Sequence, residues 1–318
     1  MLICYLPKLK EEKPILKIDF VDFGFIDKCD NFFVTLLSKY YTVMISDRPD
    51  LLFYSDTGNS QLYKLYNCKK IFWTGESSEP DFNVCDYAIT PRKIDNPRHC
   101  RLPYYVVGCE CNAEDLIKKP GEAEEILRGN RHGCGVVISN VGRRARYRRT
   151  FFHELSKHIS VSSGGRGLNN IGAPIPQGGQ SKHSFLKNYR FNQCFENKSL
   201  PGYTTEKIAE AMWARCIPIY WGDPNIALEF NTKSFINVLG SSNEEECFAR
   251  IVEIEKDDDA YFSMLKEPYF IDNKPNEFFN EDRYANFLRQ AVEEDITPRC
   301  KQSENFRFGR WRLAKRMN

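Results

Sequence analysis

The sequence predicts an α/β protein built from two parallel-sheet domains. Three observations carry this. The 318 residues suit two domains at roughly 100–200 residues each. Two successive series of short apolar strands alternate with helical stripes, the signature of parallel sheets covered by helices. Between them lies a polar passage, Asn112 to Gly133, rich in Glu, Lys, Gly and Asn.

In the first series Ile15 to Phe20 suits a strand, and Cys29 to Tyr40 carries Phe32, Phe33, Leu36, Leu37 and Tyr40 as a helical stripe. Tyr41 to Ile45, Leu51 to Tyr54 and Lys70 to Trp73 read as buried strands, and Tyr87 to Thr90 and Arg101 to Val107 as two more. A short helix is expected over Glu122 to Leu127. The second series opens with strand Gly135 to Ser139 and helix Arg146 to Lys157, which turns Phe151, Phe152 and Leu155 inward. Strand His158 to Val161 leads into Ser163-Gly164-Gly165, followed by helix Lys182 to Asn188 and strand Arg190 to Phe195. Helix Thr205 to Ala214, strands Ile217 to Trp221 and Ser234 to Val238, and helix Glu244 to Lys256 complete it.

Composition narrows the function. Hydrophobic residues at 42% and charged residues at 28% support a packed core and exclude global disorder. A net charge of +2 argues against a surface that coats nucleic acid or membrane. No apolar run approaches the roughly 18 residues of a membrane-spanning helix. The opening MLICYLPKLKEE does not read as a signal peptide, so a cytoplasmic protein with reduced thiols is the expectation for its 12 cysteines. His99, Cys100, Cys109 and Cys111 cluster, but their spacing matches no zinc site.

Three constellations bear chemistry. Five arginines fall between Arg143 and Arg149, after a strand and at a helix entry. They are either a solvated face or a phosphate site, where helix N–H groups and guanidinium forks converge. In Asn197 to Lys207 (NKSLPGYTTEK), Pro201-Gly202 makes a turn and Thr204 or Thr205 can cap the next helix. Glu206 in its first turn suits the dipole while Lys207 opposes it, which makes sense if an anion sits between them. Glu76 directly follows a buried strand, where ligand sites collect, and could act as a general base; a plain loop carboxylate is the competing reading.

Taken together, FNQCFENKSLPGYTTEKIAEAMWARCIPIYWGDP (Phe191 to Pro224) resembles glycosyltransferase family 10, the α-1,3/4-fucosyltransferases, in its bacterial branch. IFWTGESSEPDFNVCDYAIT (Ile71 to Thr90) looks like that branch's acceptor-side motif. VVISN with the arginines and Phe151-Phe152, then SSGGRGLNNIG, is similar to the first half of its donor domain. The resemblance implies the GT-B fold, two Rossmann-like domains facing across a cleft. It implies residues 1–117 on the acceptor side, 118–289 binding GDP-fucose, and 290–318 as a C-terminal segment packing back on the first domain. It further implies an inverting α-1,3 transfer of L-fucose from GDP-fucose to GlcNAc or Glc in a glycan acceptor such as N-acetyllactosamine, with no metal or other cofactor.

By position, Glu76 matches the family's base, and Arg148 its phosphate-binding arginine, with Arg149 as the alternate. Ser139, Asn140, Asn197, Tyr203, Glu206 and Lys207 fall in the donor site, Glu206 on ribose hydroxyls and Lys207 on phosphates. The chain departs from many bacterial members in lacking heptad repeats and in having Val141 where Pro is usual. An α-1,4 linkage, another sugar nucleotide, a glycan-binding protein without catalysis and a nucleic-acid binder through Arg143–Arg149 stay open at this stage. The tail Phe306 to Asn318 has five bases and no acid; peripheral contact with an anionic membrane is one expectation for it, and packing on the first domain the other.

Overall fold

The computed structural model describes residues 13–58, 60–142 and 146–299. The expectations for Arg143, Arg144 and the tail Phe306–Asn318 lie outside the described residues. Two sheets organise the chain. The first runs in the order β2-β1-β3-β4-β5-β6, with β1 Ile15–Val21, β2 Thr42–Ile45, β3 Leu51–Tyr54, β4 Lys69–Trp73, β5 Tyr87–Thr90 and β6 His99–Arg101. β1 pairs in parallel with β2 and β3, and β3 with β4, Phe53 standing opposite Ile71. The second sheet runs β11-β10-β9-β7-β8, with β7 Cys134–Val136, β8 Val161–Ser163, β9 Phe191–Gln193, β10 Ile217–Tyr220 and β11 Ile236–Asn237. Its pairings are parallel throughout.

Helices α1 Phe32–Leu37, α2 Glu122–Arg128, α3 Arg146–Leu155, α4 Gly179–Leu186, α5 Glu206–Trp213, α6 Glu244–Lys256, α7 Asp258–Leu265 and α8 Glu281–Glu293 connect or flank the strands. The chain divides into two compact units. Among the described residues, one takes 13–73, Pro80–Ala88 and 281–299, and the other Thr74–Glu79 and Ile89–Asn280. The first has an apolar cluster of Val21, Leu52, Tyr54, Phe72, Cys85 and Ala88, and α1 meets α8 through Phe32 and Tyr284. In the second, Val136, Phe151, Phe195, Ile219, Phe248 and Ile251 belong to one core. Ile208, Met212, Tyr220, Phe230 and Phe270 belong to another.

β3, LLFY, is buried at every position, as a continuous apolar run in a central parallel strand should be. The structure corrects four expectations, the first being strand His158 to Val161, which forms instead as β8 Val161–Ser163. β2 is mostly exposed because it lies at the sheet edge. The strand expected over Arg101 to Val107 ends at Arg101, and Tyr104–Val106 forms a 3-10 turn; Pro103 supplies no amide to a ladder. The sequence reading stopped before α7 and α8. Cys109 and Cys111 are joined as a disulfide, which departs from the reduced state expected of all thiols. His99 of the same cluster instead lies 2.9 Å from the Thr90 hydroxyl, and burial pulls its imidazole down to about 4.

Candidate functional site

In the second sheet the chain leaves β7 for β8 on one side, then returns to the other side of β7 as β9. Strand order therefore reverses between β7 and β9. In open parallel sheets ligands bind beyond the carboxyl ends of strands at such a switch point. A cavity of about 230 Å³ lies there, walled by Val137 to Asn140 after β7, by Asn192 to Phe195 and Asn197 along and beyond β9, and by side chains of α3, α4 and α5. The loop after β8 folds tightly against this wall: a Cβ at Gly165 would stand 2.1 Å from the Ile138 carbonyl oxygen.

Arg148 enters the cavity because α3 buries it with Phe151, Phe152 and Leu155, the i, i+3, i+4, i+7 face of a helix. Its Nη2 donates to the Phe195 carbonyl at 2.5 Å and to Asn197 Oδ1 at 3.0 Å. Burial pulls its pKa down, and Glu196 and Tyr203 act against that; a guanidinium stays protonated in any case. Arg149, the next residue, is exposed and is not among the cavity-lining residues.

The entry of α5 is built around Glu196, 1% exposed. Its carboxylate accepts from the Thr205 amide at 2.7 Å, from the Thr205 hydroxyl at 2.7 Å, and from Lys207 Nζ at 3.3 Å. Thr205 is thus the N-cap residue by position, but its hydroxyl makes no cap hydrogen bond. The anion expected between Lys207 and the helix dipole is supplied by the protein itself. Lys207 Nζ lies 3.3 Å from both Glu196 and Glu206. Burial acts to lower its pKa, but these two carboxylates raise it well above an ordinary lysine. Burial also pushes Glu196 up, with Lys207 the main opposing charge. For Glu206 burial again acts upward, yet Lys207 and Lys182 hold it below the usual carboxylate range.

Tyr203 precedes this helix on a turn that needs Gly202 at φ +81°, where a Cβ would stand 2.4 Å from the Lys93 amide. The Gly202 carbonyl accepts from Arg101 Nη2 at 2.7 Å, and Arg101 in turn pairs with buried Glu229. Glu229 also accepts from Tyr105 OH at 2.9 Å, and burial, opposed by Arg101, pushes its carboxyl up to about 7. The turn so held delivers the Tyr203 hydroxyl to Glu76 Oε2 at 3.3 Å. Glu76 is exposed, and its amide is tied to Thr74 Oγ1 at 3.0 Å.

Arg148, Asn197, Glu206, Lys207, Ser139 and Asn140 therefore meet around one cavity, while Tyr203 joins Glu76 beside it. Sequence reasoning missed Glu196 and Glu229, both buried acids, and two further lining residues, Lys182 and Glu210. Glu210 had a signal, since it stands one turn after Glu206 on the same helix face. Chemically the cavity offers cations for an anionic group, carboxylates and amides for hydroxyls, and apolar surface from Ile138, Leu186 and Phe195 for a ring. Among the described residues no group of three or more His, Cys, Asp or Glu could hold a metal ion.

Two parallel-sheet α/β domains, one with a mixed-charge cavity at its switch point, fit the GT-B class of protein. The α-(1,3)-fucosyltransferase FucT N-terminal domain model matches residues 18–108, and the glycosyltransferase family 10 (fucosyltransferase) C-terminal model matches residues 129–306. The chain belongs to glycosyltransferase family 10. It is 33% identical over 270 residues to the alpha-(1,3)-fucosyltransferase FucT of Helicobacter pylori, an alignment covering 73% of this chain and 55% of that protein. The chain thus spans about half the length of that relative. A crystal structure of an α1,3-fucosyltransferase with GDP-fucose aligns over 92% of this chain and 96% of its own, with TM-score 0.74 and 30% identity. One with GDP aligns over 94% and 96%, with TM-score 0.75 and 28% identity.

Proposed function

We propose that this chain is an inverting α-1,3-fucosyltransferase that moves L-fucose from GDP-fucose to a hydroxyl of GlcNAc or Glc in a glycan such as N-acetyllactosamine. The observation that carries the reading is the convergence of Arg148, Asn197, Glu206 and Lys207 on one switch-point cavity, with Glu76 touching Tyr203 in the same compact unit. The family and the solved relatives with GDP-fucose and GDP support it. In this reading the second sheet binds the donor and the first takes the acceptor. Glu206 accepts hydrogen bonds from ribose hydroxyls, and Arg148 and Lys207 meet the diphosphate. Lys207 then exchanges part of its contact with Glu196 and Glu206 for phosphate oxygens.

The acceptor oxygen attacks the anomeric carbon as the bond to the β-phosphate oxygen breaks, and Glu76 takes the acceptor's proton. Charge growing on GDP is met by the two cations, an electrostatic contribution that is often the largest in such reactions. Positioned proton removal adds about 10²–10⁴-fold. The test is Glu76→Gln, assayed with GDP-fucose and lactose or N-acetyllactosamine. Transfer should fall by about 10²–10⁴-fold while GDP affinity stays within a few-fold, and full activity in the variant would sink the role of Glu76. A screen of other sugar nucleotides tests donor identity. We propose also that the protein works at the cytoplasmic face of a membrane, touching anionic lipid through its tail; the support is the tail's five bases without an acid. Salt-sensitive sedimentation with anionic but not neutral vesicles would bear this out.

A further inference from the structure

Two cavity-lining residues have no part in the scheme above. Lys182 of α4 and Glu210 of α5 form an ion pair at 2.6 Å, and both line the cavity with Glu206 and Lys207. Glu210 is 7% exposed. Glu206 and Glu210 stand four apart on α5, so their carboxylates share one face and repel when both are charged. Lys182 is the cation that α4 brings to that face, and it acts on both acids.

The position of Lys182 is itself built in. α4 has Gly178 at its N-cap with no side-chain cap. Instead Glu110, from the Cys109–Cys111 disulfide turn, accepts from the Gly179 and Gln180 amides at 2.6 and 3.0 Å. Lys182 sits one turn further on and also borders a second cavity of about 150 Å³ formed with Gly164, Gly165 and Ile175. A helix anchored in this way at its first turn holds the ammonium in place rather than leaving it to solvent.

We propose that Lys182 is a positioning residue for the donor site: by pairing with Glu210 it leaves Glu206 free, as a carboxylate, to accept hydrogen bonds from the donor's sugar hydroxyls. The inference rests on the reading of this cavity as the donor site. Burial raises Glu210 to about 7, Lys182 acting against it and Glu206 with it, whereas Glu206, on which burial also acts upward, is held low by Lys207 and Lys182. The other groups that act on them are Lys207 from α5, Glu196 after β9, Arg148 from α3, and Tyr104 and Tyr203. His183, beside Lys182, stacks instead on Trp213 at 4.4 Å. Of these, only Lys182 makes a hydrogen-bonded ion pair with Glu210.

The experiment is GDP titration calorimetry from pH 6 to 9 on the whole protein, its Lys182→Met and Glu210→Gln variants, and the double variant. Lys182 acts downward on both acids, so without it each holds its own proton to higher pH, Glu206 included. Lys182→Met should therefore weaken GDP binding at pH 6.5 about tenfold, with the midpoint of recovery moved up by about one pH unit. Glu210→Gln removes the repulsion and should move the midpoint down, and in the double variant it should bring back most of the affinity. In turnover the Lys182→Met loss should fall on the donor KM rather than on kcat. A loss in Lys182→Met that is equal at every pH, or a Glu210→Gln profile that does not move, would overturn the inference. Glu210→Gln keeps the test alive if Lys182→Met fails to fold. An unaltered protein that binds no GDP at any pH would overturn the donor reading, and the inference with it.

Discussion

Lys207→Met removes the one ammonium within ion-pair distance of Glu196 among the described residues, and the consequence can be worked from the geometry. Glu196 has no exposed side-chain area, and Lys207 keeps 24% of its own. Removing one partner of a buried pair costs about 3–5 kcal/mol. The lower end applies because the Thr205 amide and hydroxyl still bond the carboxylate. For a unit of this size each kcal/mol shifts the melting temperature by about 2–4 °C, so the expected loss is about 6–12 °C.

Its pH dependence has a definite sign. Burial already raises the Glu196 carboxyl and Lys207 opposes it, so the variant's folded-state pKa rises further above the unfolded one. The folded state then holds the proton more tightly. The stability this contributes is fully present below the unfolded pKa, about 4.3, and is lost as pH climbs toward the folded value. Glu206, also robbed of Lys207 but still facing Lys182, adds with the same sign. Melting curves by circular dichroism from pH 5 to 8, on the ligand-free protein, should show a small deficit at pH 5 and the full one at pH 8. Glu196→Gln in the same chain should restore most of the pH 8 deficit. A deficit independent of pH, or a double variant no better than the single, would refute the reasoning.

Other outcomes follow from the same site. Arg148→Ala should weaken GDP binding by about 1.5–3 kcal/mol, roughly 10- to 150-fold, whereas Arg149→Ala, at an exposed position, should change it less than about twofold; titration calorimetry on both separates them, and the reverse order would move the phosphate site. Transfer should survive EDTA, since Arg148 and Lys207 supply the cations in this scheme; a complete loss reversed by Mn²⁺ would contradict it. Gly202→Ala forces a side chain into φ +81° with its Cβ 2.4 Å from the Lys93 amide, so it should destabilise by about 1–3 kcal/mol and lower transfer by shifting Tyr203; unchanged stability and activity would show that the turn yields easily.

What could be read in advance depended on how local its cause was. The faces of α3 and α5 are set by spacing within one helix, so Phe151, Phe152 and Leu155 inward was legible, as was the place of Glu206 and Lys207 in a first turn. Arg148 rather than Arg149 follows from that same periodicity, because only Arg148 falls on the apolar face. The constellation Asn197 to Lys207 was legible as an ordered motif whose Asn197, Glu206 and Lys207 line one cavity. The role of Glu196 was not, because its partners Thr205 and Lys207 come from the next element and nothing in a Phe-Glu-Asn run says which residue points inward. Glu229 lies outside every motif and is recruited by Arg101 across 128 residues of chain. Helix α8 escaped notice although Tyr284, Leu288 and Ala291 keep a helical spacing. Its buried face is Tyr284, Ala285, Leu288 and Ala291, two of them alanines, so the apolar stripe is weak.

The path of the chain between its two compact units has a genetic consequence. Every residue around the switch-point cavity comes from the uninterrupted stretch Ile89–Asn280, whereas Glu76 arrives on the separate six-residue piece Thr74–Glu79. In the proposed scheme, sugar-nucleotide recognition and proton removal are therefore written in different places in the gene. A short insertion or replacement confined to Thr74–Glu79 can alter or silence the chemistry while every codon for the cavity stays as it was. Within such a lineage, descendants that keep the nucleotide grip but change or abandon transfer are one small mutation away.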